Sequence, residues 1–253
     1  MFMLDNSKVA PVTLDGLRKL PCPEPTDSWM PIAHHEVIDR LTRQLDRRHL
    51  AIRTARMTVA DGALYPSAGE SIEVKGARLF ASFDLEPMHG IEFPDGCIPS
   101  LGLRNSVDKS YSLSVLAGAR VLVCSNGVLS AEFIVSRKHT SGIRLNESID
   151  RALDQFMNSV RSFTELHERL RMKPIGLDAA KALVVDCALA GALPSSHVVD
   201  VVREFETPQH EEFRERNLWS LYNATTEASF KRMSPQRAAD AYAPLNSTIM
   251  AAL

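Results

Sequence analysis

Three short polar runs bring together residue types that could catalyse acyl transfer. Ser106 precedes Lys109 by three positions, and the segments "CSNG" (124–127) and "KHTSG" (138–142) follow. A serine nucleophile with a lysine base would need this pair at the start of a helix, with a helical region between it and the other groups. All three runs instead lie within 106–142, in a pattern of strands and turns. The spacing therefore argues against this chemistry.

Thiol and metal chemistry find little more support. His34 and His35 are adjacent, so on a helix they point to different faces, and no H-E-x-x-H is present. Cys124 ends a predicted strand and could be an activated thiol if a histidine lay nearby; a buried structural cysteine is the alternative. His139 has two cationic neighbours and suits an anion better than a metal. The sequence predicts no metal site and no cofactor.

The remaining candidates are hydrogen-bond donors that lie at strand ends, at turns and on one helix face. Cations interleaved with Ser, Thr and Asn are the side chains that hold phosphates. The candidate nucleic-acid-binding residues are Arg40, Arg43, Arg47, Arg104, Asn105, Lys109, Arg120, Asn126, Arg137, Lys138, His139 and Thr140. The aromatics near enough to stack bases are Tyr65, Phe80, Phe93, Tyr111 and Phe133. Most of these are predicted to be core, and an ordinary solvated sheet face is the alternative interpretation.

A helix and a sheet must position these donors. Residues 1–33 are proline-rich and are predicted to be extended, with Trp29 anchoring them by packing. A helical apolar stripe follows from residue 34, and the period then changes from 3.6 to 2. Asp61-Gly62 and Asn126-Gly127 predict tight turns, and Gly118 a further turn. The pattern indicates an antiparallel sheet with one wet face.

Alternation assigns the two faces of that sheet. Two strands supply the side chains predicted to face inward, which are Leu79, Ala81, Phe83, Leu85, Tyr111, Leu113, Val115 and Ala117. Their polar neighbours predicted to face water include Arg78, Ser82, Asp84, Ser110, Ser112 and Ser114.

From residue 146 the apolar period is helical to the end of the chain. A long amphipathic helix is predicted from Glu147 to Met172, ended by Pro174. The segment "LDAAKALVVDCALAGA" is apolar on most sides and is predicted to be central, and Ser234-Pro235 starts a last short helix. The fold class is α+β, an antiparallel meander with an N-terminal helix, a long covering helix and a C-terminal helical bundle.

Composition restricts the class of protein and of partner. The 253 residues are 45% apolar and 24% charged with a net charge of −2, typical of a globular protein without a global basic signal. The charge is uneven: six Lys/Arg against three Asp/Glu in 34–60, six against two in 100–145, and twelve against fifteen in 146–253. We expect an extended segment (1–33) and one α+β domain (34–253), comprising a helix plus sheet (34–145) and a helical part (146–253).

No signal peptide, no membrane span and no disulfide pattern is predicted. The four isolated cysteines suit reduced thiols, so we expect the cytoplasm of a bacterial host.

Two motifs carry a family resemblance: "LRNSVDKS" with "VCSNG" and "RKHT", and the later "NLWSLYNATTE". Together they resemble a phage- and plasmid-related family known as domain of unknown function 932, over roughly 29–228. The matching residues are Arg104, Asn105, Ser106, Asp108, Ser110, Cys124, Asn126, Lys138, His139, Thr140, Trp219, Asn223, Thr225 and Glu227. Lys109 stands where the family commonly has glycine. In the second motif we expect Trp219 to pack onto the sheet and Asn223 to bond a loop.

Three functional hypotheses follow. The first is a non-enzymatic nucleic-acid binder, an oligomeric single-strand annealing or recombination accessory factor with single-stranded DNA as partner. The element order is similar to that of single-strand annealing proteins, which is an analogy of fold. The second is a protein-interaction or anti-defence factor that binds a host or phage protein through its acidic, apolar C-terminal helices. The third is an enzyme that uses Cys124 or His139.

Overall fold

The chain forms a six-stranded antiparallel sheet in which every strand pairs with its neighbours in sequence. The computed structural model describes residues 9–65, 69–86, 93–94, 96–121, 127–137 and 145–253. The strands are β1 (Val9–Pro11), β2 (Ile52–Leu64), β3 (Ile72–Leu85), β4 (Cys97–Ser106), β5 (Leu113–Val121) and β6 (Gly127–Arg137). Beyond Val115, β5 and β6 are described by their backbone pairing alone. The predicted antiparallel meander and α+β class are confirmed.

Seven α-helices complete the described part of the chain. They are α1 (Leu14–Arg18), α2 (His34–Arg47), α3 (Leu145–Met172), α4 (Leu177–Leu189), α5 (Val198–Glu206), α6 (Leu218–Ala228) and α7 (Pro235–Met250). The long covering helix α3 ends two residues before Pro174, as predicted. The Ser234 side chain accepts a hydrogen bond from the Arg237 backbone N–H at 3.3 Å, which caps α7.

One face of the sheet packs against α2 and α3 to form the first core. Alternate residues of β3 point into it, and so does the apolar stripe of α2. Its buried members include Leu79, Ala81, Phe83, Leu85, Leu101, Leu103, Leu113 and Val115 from the sheet, and Val37, Ile38, Leu41, Leu45, Ile149, Leu153 and Phe156 from the helices. Arg48, just after α2, bridges Asp150 at 2.7 Å and Asp154 at 3.0 Å, which ties α2 to α3.

The later turns of α3 join the C-terminal helices in a second core. Phe163 and Leu170 of α3 pack there with buried residues of α4 to α7. Helix α4 was predicted to be central, and this prediction is wrong. It buries Ala180, Val184 and Cys187 along one side, while Leu189 is 82% exposed. A helix that is apolar on most sides therefore lies at the surface.

The N-terminal segment is more structured than an extended chain. Strand β1 pairs with β2, and α1 follows it with the Thr13 side chain as its cap. Trp29 is buried, as expected of an anchor.

Two turn predictions are wrong because the strands run through them. Asp61-Gly62 lies inside β2 at a register shift, where residues 75–77 of β3 lie opposite Asp61 alone. The Asp61 carboxylate accepts the Gly76 N–H at 2.7 Å, and a Cβ on Gly62 would lie 2.0 Å from the Asp108 carboxylate. Glycine is required there for that close approach. Gly118 pairs with Leu129 inside β5 and does not turn the chain.

The predicted wet face is only partly exposed. Every residue of β4 is buried, so its polar side chains lie beneath other structure. Ser114, predicted to face water, is 0% exposed. Helix α7 packs against β6 on this side, and its Asp240 pairs with Arg104 at 3.1 Å. The face opposite the first core is therefore closed over β4 and left open over β2 and β3.

Candidate nucleic-acid interface

The part of the sheet that stays open carries both aromatic and cationic side chains. We call it the open sheet face, and it consists of Arg56, Thr58, Arg78, Phe80, Ser82 and Tyr111, all half-buried. In the strand register Arg56 lies opposite Ser82, and Thr58 lies opposite Phe80. Because side chains alternate along a strand, these even-numbered residues point away from α2 and α3. The sheet thus presents them as one surface.

Phe80 and Tyr111 form the centre of this surface. Their ring centroids are 5.6 Å apart with the planes tilted by 44°, and the Arg104 guanidinium carbon lies 5.4 Å from the Tyr111 ring centroid. Burial is the main cause that raises the pKa of the Tyr111 phenol, so this group stays protonated at neutral pH. An aromatic pair flanked by guanidinium groups is the kind of surface on which nucleotide bases stack.

Tyr111 was predicted to face inward with Leu113 and Val115, and this is wrong. The chain bends from Val107 to Tyr111, so the alternation of β5 begins only at Leu113. The Ser106 hydroxyl holds the bend by donating to the Tyr111 carbonyl at 2.8 Å and accepting the Tyr111 N–H at 3.2 Å. The loop therefore delivers the ring to the face opposite the core.

The two arginines of the open sheet face are held by buried carboxylates. Arg56 pairs with Asp84 at 2.6 Å, and Arg78 pairs with Asp108 at 2.8 Å. Asp84 also accepts from the Ser100 hydroxyl at 2.7 Å. Each arginine side chain remains about one-third exposed. Paired in this way, the guanidinium groups offer fixed N–H donors without a large positive potential.

The residues predicted from the sequence did not include Arg56 or Arg78, and Phe80 was named only as an aromatic near enough to stack bases. The alternation along β3 could have identified Phe80 and Arg78. Phe80 lies two positions from both Arg78 and Ser82, which were predicted to lie on the polar face, so all three share that face. The same period of two along "TARMT" places Arg56 on that face.

The predicted α2 arginines lie on the other side of the sheet. Helix α2 covers the core face, and these residues occupy its outer surface. Arg40 pairs with Glu36 at 3.7 Å, and Arg43 donates to the Asp39 carbonyl at 3.1 Å. Arg47 is exposed. These arginines therefore do not join the open sheet face in one surface.

Arg104 and Asn105 were predicted as surface donors, but both are buried. Arg104 is engaged by Asp240 and donates to the Ser114 hydroxyl at 3.4 Å. Asn105 is 0% exposed and lies on the core side of β4. Its amide nitrogen donates to the Ile32 carbonyl and to His34 Nδ1, both at 2.9 Å. These two residues connect parts of the fold and are not available to a phosphate.

His34 completes that buried network. Its Nε2 lies 2.9 Å from the Gly76 carbonyl oxygen, which can only accept, so Nε2 carries the proton. Nδ1 is then the acceptor for the Asn105 amide. The network joins the start of α2 to β3 and β4.

Replacing Asn105 with Ala is expected to lower the free energy of unfolding by about 2 kcal/mol, because the Ile32 carbonyl and His34 Nδ1 lose their buried donor. Urea denaturation followed by circular dichroism measures this. Asn158→Ala, at an exposed position of α3, serves as the control and is expected to change stability by less than about 0.5 kcal/mol. Equal stability of wild type and Asn105→Ala would show that the network contributes nothing.

Lys109 lies at a turn with a φ of 65°, in the left-handed region that glycine adopts without strain, so the glycine that the family resemblance implies there would fit this backbone. The Lys109 ammonium lies 4.7 Å from the centroid of the buried Trp29 ring, a cation–π contact that connects this turn to the N-terminal segment.

The remaining predicted donors are described in part or not at all. Arg120 pairs with Gly127 and Arg137 pairs with Leu113 in the β5–β6 ladder, as backbone positions. Asn126, Lys138, His139 and Thr140 lie outside the described residues, and so does Cys124.

The described residues also bear on the thiol, serine and metal chemistries considered from the sequence. Burial raises the pKa of the Cys187 thiol to about 12, and burial with nearby Glu36 and Glu24 raises that of Cys22, so neither thiol is activated. Ser106 is buried and bonded to Tyr111. Within the described ranges, no three His, Cys, Asp or Glu side chains gather as metal ligands.

The second motif of the family resemblance lies in α6 and is structural. Trp219 packs on α3, with its ring centroid 4.5 Å from that of His167 and 6.4 Å from that of Phe163. The Asn223 amide donates to the Trp219 carbonyl of its own helix at 2.9 Å. These described contacts of Trp219 and Asn223 lie within the helical part, and the expected contacts with the sheet and with a loop stay predictions.

Comparison with known proteins gives a family. No curated protein and no solved structure matches the chain. Along the described part of the chain, no helix has the length and apolar character that a bilayer crossing requires. A family model described as a domain of unknown function (DUF932) matches residues 44–249, most of the chain. The resemblance predicted from "LRNSVDKS" and "NLWSLYNATTE" is thereby confirmed, and the chain belongs to the DUF932 family.

Proposed function

We propose that the protein binds single-stranded nucleic acid on the open sheet face. The observation that carries this proposal is the Phe80–Tyr111 pair, which lies on the side of the sheet away from the core. Apolar rings are usually buried in a core, and a pair left partly exposed beside arginines is suited to stacking on bases. The paired guanidinium groups of Arg56 and Arg78 provide N–H donors at the edges of the same surface.

The geometry favours single strands over duplexes. Bases in a duplex are stacked on each other and cannot lie on a flat protein surface, whereas unpaired bases can splay onto aromatic side chains. The near-neutral ion pairs also give little of the long-range attraction on which duplex binding depends. Stacking therefore supplies more of the expected affinity than phosphate neutralisation does.

The narrower proposal concerns biological role. An oligomeric single-strand annealing or recombination accessory factor of a phage or plasmid, acting in the bacterial cytoplasm, is consistent with a helix, a meander and a covering helix in that order. Its partners would be single-stranded DNA and further copies of the chain. The support for this narrower role is the similarity of this element order to that of single-strand annealing proteins, described under the sequence analysis.

Fluorescence anisotropy with labelled single- and double-stranded DNA and RNA oligomers tests the proposal. We expect single strands to bind more tightly than duplexes. With about three phosphate contacts, affinity should fall about 20-fold between 50 and 200 mM salt. Absence of single-strand binding at about 50 mM salt, by a protein that circular dichroism shows to be folded, would contradict the proposal.

A second candidate function is protein interaction through the C-terminal helices. The observation that favours it is the set of large apolar side chains exposed there, which are Met172, Val185, Leu189 and Val199. Where such side chains adjoin one another, exposed apolar surface marks interaction sites in soluble proteins. Such binding would survive moderate salt, since apolar burial is not screened by ions. Salt dependence therefore separates the two functions.

A further inference from the structure

One row of side chains across the sheet begins in the open sheet face and ends beneath α7. In the strand register Thr58 lies opposite Phe80, and Phe80 lies opposite Arg104. The row continues from Arg104 to Ser114. Side chains directly opposite one another on neighbouring strands point to the same face of a sheet. Thr58 and Phe80 are half-buried, whereas Arg104 is buried, so the open sheet face ends at a covered cation.

Asp240 of α7 lies between this cation and the solvent. Its carboxylate accepts from Arg104 Nη1 at 3.1 Å, and the guanidinium carbon of Arg104 lies 5.4 Å from the Tyr111 ring centroid. The Arg104 side chain is only 10% exposed, whereas that of Asp240 is 52% exposed. Solvent therefore reaches the carboxylate more readily than the guanidinium behind it. The carboxylate occupies the place where an anion from solution would meet Arg104.

Helix α7 covers β4 at a polar contact. Its buried apolar residues, among them Tyr242 and Leu245, belong to the second core, which includes only Cys97 among the described residues of β4. From Ser100 to Ser106 the residues of β4 on this face are serine, glycine and arginine. A different anion at Arg104 would leave the guanidinium paired and the second core unchanged. Exchange of the Asp240 carboxylate for such an anion is therefore feasible without unfolding.

We infer that Arg104 is a phosphate subsite of the open sheet face and that Asp240 blocks it until a phosphate takes its place. This inference rests on the proposed function, because base stacking brings the phosphate to the site. Neighbouring strands lie about 4.8 Å apart, so the phosphate of a nucleotide stacked on Phe80 comes within reach of the Arg104 side chain. Guanidinium groups bind phosphate through parallel N–H donors, and the Tyr111 ring holds this one beside the aromatic pair.

Fluorescence anisotropy of the full chain with a labelled oligodeoxythymidylate of about 15 nucleotides tests the inference. Asp240→Ala removes the competing carboxylate, so the affinity is expected to rise about tenfold. The additional phosphate contact is expected to steepen the slope of log affinity against log salt by about 0.7. A purely structural role of Asp240 predicts no gain in affinity. Asp178→Ala removes an exposed carboxylate of α4 and is the matched control, expected to bind as wild type does.

Two further variants address folding and the role of Arg104. Asp240→Asn covers the case in which Asp240→Ala does not fold, because its amide oxygen still accepts from Arg104 while the negative charge is lost. A gain of about threefold is expected for it. Asp240→Ala combined with Arg104→Met removes both charges, so no unpaired guanidinium remains buried. This double variant is expected to lose the gain, because the subsite is lost.

The outcomes separate the inference from the proposed function. Binding by wild type without a gain in any folded Asp240 variant would overturn the inference and leave the proposed function standing. A gain that persists in the double variant would also overturn it, since loss of a negative charge would then account for the gain without Arg104. Failure of wild type and of every variant to bind the oligomer at about 50 mM salt would contradict the proposed function itself, and the inference with it.

Discussion

Replacing Phe80 with Ala is expected to weaken binding of a single-stranded oligomer by about 10- to 100-fold, because one stacking contact with a base contributes about 1–3 kcal/mol. Phe80 lies at the centre of the open sheet face, 5.6 Å from the Tyr111 ring. Its loss removes the ring and leaves the neighbouring arginines paired as before. Anisotropy titration of wild type and variant with the same labelled oligomer measures the effect.

Two further variants separate stacking from stability. Phe80→Leu keeps an apolar side chain in place but has no ring face, so it is expected to lose affinity almost as Phe80→Ala does. Tyr111→Phe keeps the ring and loses only the phenol, so a change of less than about threefold is expected. Tyr65→Ala removes an exposed aromatic outside the open sheet face and should bind as wild type does. Wild-type affinity in both Phe80 variants would exclude this face as the binding surface.

Arginine variants would test the same surface less sharply. Truncation of Arg56 or Arg78 leaves Asp84 or Asp108 as a buried carboxylate without its main partner. Leaving a buried charge uncompensated is itself strongly destabilising. A loss of affinity in such a variant would therefore mix an effect on the fold with an effect on the ligand, whereas the Phe80 variants leave every ion pair intact.

Periodicity in the sequence predicted which residues share a face, and the structure agrees over long stretches. Leu79, Ala81, Phe83 and Leu85 enter the core as their alternation requires, and α3 buries residues of its apolar stripe as far as Leu170. Both predictions rest on local geometry, since a strand repeats every two residues and a helix every 3.6. A periodic sequence pattern therefore predicts the buried side correctly wherever the strand or helix buries one of its faces.

What covers a face depends on contacts between distant parts of the chain. Arg104 was predicted to be a surface donor because its neighbours are polar, but its partner Asp240 lies 136 positions later in α7. The amide nitrogen of Asn105 likewise donates to Ile32 and His34, far back in the sequence. The Asp61-Gly62 pair resembles a hairpin turn, and only the close approach of Asp108 shows why glycine stands inside β2. Local pattern contains no information on these distant partners.

In the helical part, the buried His167 is expected to make the free energy of unfolding depend strongly on pH. His167 lies in α3 against Trp219, and its Nδ1 has no hydrogen-bond partner among the described residues. Burial, with a smaller contribution from Arg171, lowers the pKa of His167 to about 4. The imidazole is therefore neutral in the folded protein throughout the range in which an unfolded histidine takes up a proton.

Acidification from about pH 6.5 to about pH 4 is expected to remove about 3 kcal/mol of stability through this one residue. In that window the unfolded chain binds a proton at His167 that the folded chain does not, so the free energy of unfolding falls as the pH falls. Above about pH 6.5 the residue is neutral in both states, and its contribution no longer changes with pH. Urea denaturation at half-unit steps of pH measures the slope.

Carboxylates titrate in the same window, so the difference between two proteins is the informative quantity. His167→Phe keeps an aromatic ring against Trp219 and Phe163 and removes the titrating group. Its stability is expected to fall less steeply than that of wild type below pH 6.5, with the two curves diverging by about 3 kcal/mol at pH 4. His49→Asn, at an exposed left-handed position that asparagine tolerates, should keep the wild-type slope. Parallel curves for wild type and His167→Phe would mean that His167 is protonated equally in the folded and unfolded states, and that water reaches its ring despite the packing of Trp219.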